Sequence, residues 1–345
     1  MSARAPDGSR DAAATVLEIK GLVTSFPGPG HRMAVVDGVD LTLHRGETLA
    51  LVGESGCGKS VTALSILRLV PKPGQIDRGT VLLGTRDLRT MPIAELRRVR
   101  GHEISMIFQE PMTSLNPVVS VGKQVVEAIR LHERMPWALA RRRALSLFEQ
   151  VGIPDPAARL DAFPHQLSGG MKQRVMIAMA LAAHPSVLIA DEPTTALDVT
   201  IQGQILDLLR ALRDQLGTAI LLITHDLSIV NELADRVAVM YAGRLVEVGT
   251  RANILAAPRH PYTLGLLRSM PARARRGDRL TEISGVVPPP GQWPAGCRFA
   301  PRCPRAFDPC TRIDPGPTGL SPTHTAWCHA VAQDEGLRAA GGAPG

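Results

Sequence analysis

At 345 residues, 44% hydrophobic and 21% charged, the chain is long enough for one large domain with a buried core plus a small one. Val175 to Ala183 is among its longer apolar runs, far short of the ~18–20 residues that span a bilayer, and Met1–Thr15 is polar, without a signal-peptide hydrophobic region, which predicts a cytosolic chain unless a partner holds it at a membrane. The net charge of +7 comes mostly from scattered arginines; the short clusters Arg141-Arg-Arg143 and Arg273-Ala-Arg-Arg276 read as solvated faces rather than nucleic-acid or membrane patches.

Past the tail 1–15, expected to be disordered, Val16–Val23 and Met33–Leu43 read as strands separated by the turn-rich Pro27-Gly-Pro-Gly30. Thr48–Val52 reads as a short buried strand and Val61–Leu69 as an amphipathic helix. Trp137–Val151 carries a helical pattern. Val187–Ala190 and Ala219–Ile223 are continuous apolar runs, as parallel strands covered on both faces require. Between them, Ile201, Ile205, Leu208, Leu209, Leu212 and Leu216 recur at helical spacing, with Gly217 as the expected cap. Strands alternating with helices imply a mixed α/β core. Composition changes near residue 256: the remainder of the chain is proline-rich and holds four of the five cysteines. The expected division is a core over 16–255, a C-terminal region over 256–332 and a disordered tail over 333–345.

Between the strand Thr48–Val52 and the next helix stands Gly53-Glu-Ser-Gly-Cys-Gly-Lys59-Ser60, which fits G-x-x-x-x-G-K-[ST]. In that context Gly53, Glu54, Ser55, Gly56, Cys57, Gly58 and the helix-opening Val61 form a loop whose backbone N–H groups curl around phosphate oxygens. Lys59 supplies a charge for the β- and γ-phosphates, and Ser60 a hydroxyl for Mg²⁺. Cys57 reads as a small residue tolerated in the loop, although its nearness to a helix N-terminus predicts a lowered pKa and an alkylation that ATP blocks. Asp191 and Glu192 end the strand Val187–Ala190; an acid there needs a cation, so Asp191 is assigned to Mg²⁺ and Glu192 to the attacking water.

Leu167-Ser-Gly-Gly-Met171 narrows the class. Ser168 caps a helix whose free N–H groups would face another anion, and one γ-phosphate is not easily reached by both loops of a rigid domain. The simplest geometry is a dimer in which Ser168, Gly169 and Gly170 complete the partner's site. With these motifs the chain resembles, over roughly residues 16 to 255, the ATP-binding subunits of ABC transporters. The resemblance implies a P-loop α/β ATPase domain with a mixed sheet core, N-terminal antiparallel strands and a helical subdomain. It assigns Gln109 to Mg²⁺ and γ-phosphate sensing, His225 to γ-phosphate, Asp198 to the dimer seam and Phe26 to adenine stacking. Met171 departs from the commonest signature, which has glutamine there. The segments Gln109–Pro117, His260–Leu267 and Gly296–Pro304 resemble those of oligopeptide, dipeptide and nickel uptake systems. That implies ATP and Mg²⁺ as ligands, a second related ATPase subunit (a heterodimer favoured over a homodimer), two permease subunits, an extracytoplasmic binding protein and a peripheral place on the cytoplasmic face of the membrane. A nucleic-acid-linked ABC ATPase with a structural metal is the alternative, and a purely regulatory nucleotide-binding module a further rival.

Cys297, Cys303, Cys310 and Cys328 lie in a loop-rich region of a chain read as cytosolic, where structural disulfides are disfavoured, so they point to thiolate ligation. Their spacing specifies the metal poorly. Resemblance to peptide-uptake subunits favours a [4Fe–4S] cluster over zinc, for which His324 or His329 would replace a thiolate.

Overall fold

The computed structural model describes residues 14–110, 114–195, 197–270 and 282–341. Within the segments read above, residues 111–113, Ala196 and the arginine cluster at 273–276 lie outside the described residues, as do 1–13 and 342–345 of the expected tails. Twelve strands among the described residues form two sheets: β1 (Thr15–Pro27), β2 (Arg32–His44), β3 (Thr48–Val52), β4 (Gln75–Leu83), β5 (Arg86–Asp87), β6 (Ile104–Ile107), β7 (Val187–Asp191), β8 (Ala219–Thr224), β9 (Arg236–Tyr241), β10 (Arg244–Thr250), β11 (Pro317–Ser321) and β12 (His324–Trp327). The smaller sheet runs β2-β1-β4-β5 and the larger β11-β12-β10-β9-β3-β8-β7-β6.

In the larger sheet β6, β7, β8, β3 and β9 are mutually parallel, so their carboxyl ends share one edge. Every residue of β3, β7 and β8 is buried, which explains why they read as unbroken apolar runs: both faces are covered. On one face Leu49, Leu51, Ile189 and Leu221 pack toward the helix Lys59–Ile66 and the small sheet, sharing a core with Leu17, Ile19 and Val39. On the other, Leu188, Leu222 and Ile205 join a core that runs into the helices Val121–His132, Trp137–Gln150 and Gly169–Ala180 through Val125, Phe148 and Val175. Gly217, at φ 66°, ends the helix Val199–Leu216 in the left-handed conformation expected of it.

The chain past residue 256 is woven into the main sheet. β12 pairs antiparallel with β10, setting Glu247 opposite Ala326, and β11 pairs with β12 in a hairpin. Tyr262 and Phe299 are buried against Tyr241 of β9, with ring centroids 4.6, 5.2 and 5.3 Å apart. Two of the sequence boundaries need correction. Thr15 opens β1 by pairing with His44, so the N-terminal tail ends earlier than residue 15. The helix His329–Gly341 covers most of the segment expected as a tail from 333, because it continues directly from β12.

Candidate functional site

β3 delivers the chain to Gly53 at the carboxyl edge of the sheet, and the loop then turns into the helix Lys59–Ile66. Two glycines make the turn possible. A Cβ on Gly53 would collide with the Met240 carbonyl, and one on Gly58, at φ 110°, would come 2.8 Å from the Val35 carbonyl oxygen. Lys59 is 5% exposed, and its ammonium donates to the Gly53 and Glu54 carbonyls at 2.8 and 3.0 Å. The loop is thus closed on its own lysine.

Across from it, at the end of β7, Asp191 accepts a hydrogen bond from the Ser60 hydroxyl at 3.1 Å. Burial pushes the Asp191 carboxyl up to about 6, the Ser60 hydrogen bond and the Lys59 charge opposing and the Glu192 charge assisting. A carboxylate so desolvated beside a hydroxyl is a donor set that suits a hard divalent cation such as Mg²⁺.

Glu192, with φ 48°, turns back from the strand end and collects three partners. Gln109 donates its amide to Oε2 at 3.2 Å, the Thr195 hydroxyl donates to the same oxygen at 2.9 Å, and His225 Nδ1 lies 3.0 Å from Oε1. Burial alone would raise this carboxyl, but the His225 and Thr195 hydrogen bonds prevail and hold it below the usual range. It is therefore an ionised acceptor at neutral pH, at the carboxyl edge of the sheet. Thr195 has no counterpart in the sequence reading.

Ser168 and Asp198 form a second group. Each caps a helix: Ser168 Oγ accepts from Met171 N–H at 3.3 Å and Asp198 Oδ1 from Ile201 N–H at 2.9 Å. The two helix ends abut, since a Cβ on Gly170 would lie 2.9 Å from the Ile201 side chain. Phe26 lies near the end of β1, its half-buried ring over Gly74.

The expected reactivity of Cys57 is not borne out. The thiol is 1% exposed, and burial pushes its pKa up more strongly than Lys59 lowers it. Proximity to a helix start does not make a thiol reactive when the side chain faces the core rather than the loop's mouth.

Two residues from the C-terminal region also reach the loop. The Glu54 N–H donates to the Tyr262 hydroxyl at 2.9 Å, and Arg302 clasps the Glu54 carboxylate with both terminal nitrogens at 2.8 and 3.0 Å. The four cysteines of the C-terminal region are free thiols, Cys310 and Cys328 buried and Cys297 and Cys303 partly so. Burial pushes Cys297 up to about 11, with the neighbouring Cys328, Cys310 and Cys303 adding smaller contributions. Burial likewise raises Cys303 and Cys328. Among the described residues, no three of the His, Cys, Asp and Glu side chains form a group suited to one metal ion. His324 is committed elsewhere, its Nε2 lying 2.8 Å from Glu247, and His329 Nε2 lies 2.8 Å from the Ile313 carbonyl, so neither stands as the spare zinc ligand considered from sequence. Beside Gln109, a groove of about 500 Å³ is lined by Met106, Phe108, Ala128, Met176 and Met179.

Residues 36–195 match the ABC transporter family, and residues 246–310 the C-terminal region of oligopeptide/dipeptide transporters. The dipeptide transport ATP-binding protein DppD of Bacillus subtilis is 50% identical over 314 residues, covering 91% of this chain and 94% of the relative. The post-hydrolysis dimer of the ATP-binding cassette MJ0796 with ADP and Pi aligns at a TM-score of 0.62 and 26% identity, over 68% of this chain and 98% of that one. CbiO1 of Clostridium perfringens, part of the transporter complex cbiONQ, aligns at 0.59 and 29%, over 70% and 91%.

Proposed function

Because the chain belongs to the ABC transporter family of ATP-binding subunits, in its oligopeptide/dipeptide branch, we propose that it hydrolyses ATP to drive uptake of short peptides. The observation that carries this reading is the ionised Glu192, held by Gln109, Thr195 and His225 beside Lys59, Ser60 and Asp191. The amides of residues 53–61 and Lys59 bind the phosphates. Ser60 and Asp191, with Gln109 nearby, would hold Mg²⁺, which when bound offsets the charge of the β- and γ-phosphates. Glu192 orients the attacking water and accepts its proton at a carboxylate oxygen; His225 donates toward the γ-phosphate.

Ser168, Gly169, Gly170 and Asp198 are proposed to complete the ATP site of a second subunit. Their abutting helix ends point that way, and MJ0796 is a dimer. The resemblance to peptide-uptake systems favours a related but different second ATPase, with Phe26 stacking on adenine. Such a subunit works under two permease chains fed by an extracytoplasmic binding protein, and the methionine-lined groove beside Gln109 is the surface suited to a permease helix. No helix among the described residues is long and apolar enough to cross a membrane, so the chain would attach to the inner face through these partners. The matches are to transport proteins, which leaves the nucleic-acid reading without support.

Cys297, Cys303, Cys310 and Cys328 are proposed to hold a [4Fe–4S] cluster rather than zinc, a reading supported by the resemblance of this cysteine pattern to that of peptide-uptake subunits. Anaerobically purified chain should carry stoichiometric iron and sulfide that Cys303→Ser removes; chain free of iron would end that assignment. For the ATPase itself, Glu192→Gln in the assembled transporter is the test. ATP should stay bound while hydrolysis and peptide uptake cease, and continued uptake would disprove the role.

A further inference from the structure

Glu54 is an awkward residue to find in a phosphate loop. Its carboxylate lies on the segment that must receive a triphosphate, and an uncompensated negative charge there opposes binding. The structure answers this with a cation from the far end of the chain, 248 residues on. Arg302 uses all five of its N–H donors. Two go to the Glu54 carboxylate, one to the Tyr241 hydroxyl at 3.4 Å, and the remaining two to the Ser284 and Ile283 carbonyls at 2.9 and 3.0 Å. The guanidinium also lies 5.7 Å from the centre of the Tyr241 ring. Its side chain is 5% exposed, so this is a buried fork on a half-exposed carboxylate rather than a mobile surface pair.

Glu54 is thereby fixed at three points. Its carboxylate is held by Arg302, its N–H by the Tyr262 hydroxyl and its carbonyl by Lys59, the residue expected to meet the phosphates. We propose that Arg302 is a positioning residue for ATP binding, which neutralises Glu54 and pins the phosphate loop to the C-terminal region. The loop's affinity for nucleotide then depends on a segment outside the ATPase motifs, one residue from Cys303. A lysine would not replace it, since an ammonium cannot make the two-pronged contact and reach both carbonyls.

The proposal rests on the ATPase reading, and ATP titration of the full chain separates the two. Arg302→Ala should weaken ATP binding about 10-fold, the range of coupling between groups in direct contact. The same substitution made on a Glu54→Gln background should change affinity by less than about threefold, because the charge needing neutralisation is gone. A role confined to holding Ser284 and Ile283 would give the same loss on both backgrounds and would overturn the proposal, as would an Arg302→Ala chain that binds ATP like the wild type. Should Arg302→Ala not fold, Arg302→Lys gives the same comparison with a smaller loss, again erased by Glu54→Gln if the proposal holds and persistent if it does not. A wild-type chain that fails to bind ATP would sink the ATPase reading itself, and this proposal with it.

Discussion

Glu192 gathers more of the candidate site's side chains than any of its neighbours: three partners meet its carboxylate. Its left-handed backbone lets the carboxylate face Gln109, Thr195 and His225 together, so replacing it by glutamine keeps shape and one acceptor while removing the charge proposed to take up water's proton. Hydrolysis should fall roughly 10²–10⁴-fold, the usual range for loss of a general base, with ATP affinity retained; single-turnover assays alongside ATP binding would show both. At this scale much of the site was legible. The phosphate loop, the acids after β7, Gln109 and His225 each sit in a local motif, and the structure brings them to one edge. Cys57 misled because sequence gives its neighbour, a helix start, but not its facing direction, which is inward. Arg302 and Tyr262 were illegible as partners of Glu54, since nothing local to either records a contact across more than 200 positions.

Among the elements, the short helix Pro261–Arg268 connects core and C-terminal region most directly. It begins at His260, whose Nδ1 accepts from the Tyr262 N–H at 3.0 Å, while Glu247 of β10 accepts the His260 N–H at 3.0 Å and the Arg259 N–H at 2.7 Å. His324 of β12 shares that same carboxylate, and the Phe299 ring centre lies 5.9 Å from that of the His260 imidazole. Burial pushes the His260 pKa down to about 3. Unfolded, the imidazole titrates near 6.5. Between those values the unfolded chain binds a proton that the folded chain refuses, so stability is present above pH 6.5 and is lost as pH falls through the window. The loss should reach about 3–5 kcal/mol at the acid end, and protonation would also take Nδ1 from its capping role. Asparagine offers a similar acceptor without a titrating ring. Denaturant unfolding at pH 7 and pH 4.5 should therefore show a smaller acid loss for His260→Asn than for the wild type; equal losses would remove His260 as the cause. In sequence, the segment around His260 stands out only by its likeness to uptake subunits, and that likeness does not reveal a cap.

At the scale of the whole molecule, residue 256 looks from composition like a domain boundary, because proline and cysteine enrichment begins there. The change is real, but composition does not record which edge a later strand joins. β12 takes the free side of β10, Tyr262 and Phe299 fill the face of β9, and Arg302 holds the phosphate loop. Through these contacts the region beyond residue 256 completes the edge and one face of the main sheet. Ending the chain after residue 256 would expose the hydrogen-bonding edge of β10 and uncover Tyr241, Val239 and Val52, which share that apolar cluster. Loss of buried aromatic groups typically costs about 3–5 kcal/mol each, and whole domains are stable by only about 5–15 kcal/mol. Residues 1–256 alone should accordingly aggregate or melt far below the full chain when followed by circular dichroism. A shortened chain with an unchanged melting midpoint would mean that the C-terminal strands rest on a core already complete without them, and the coupling of that region to the phosphate loop would then have to be local to Glu54.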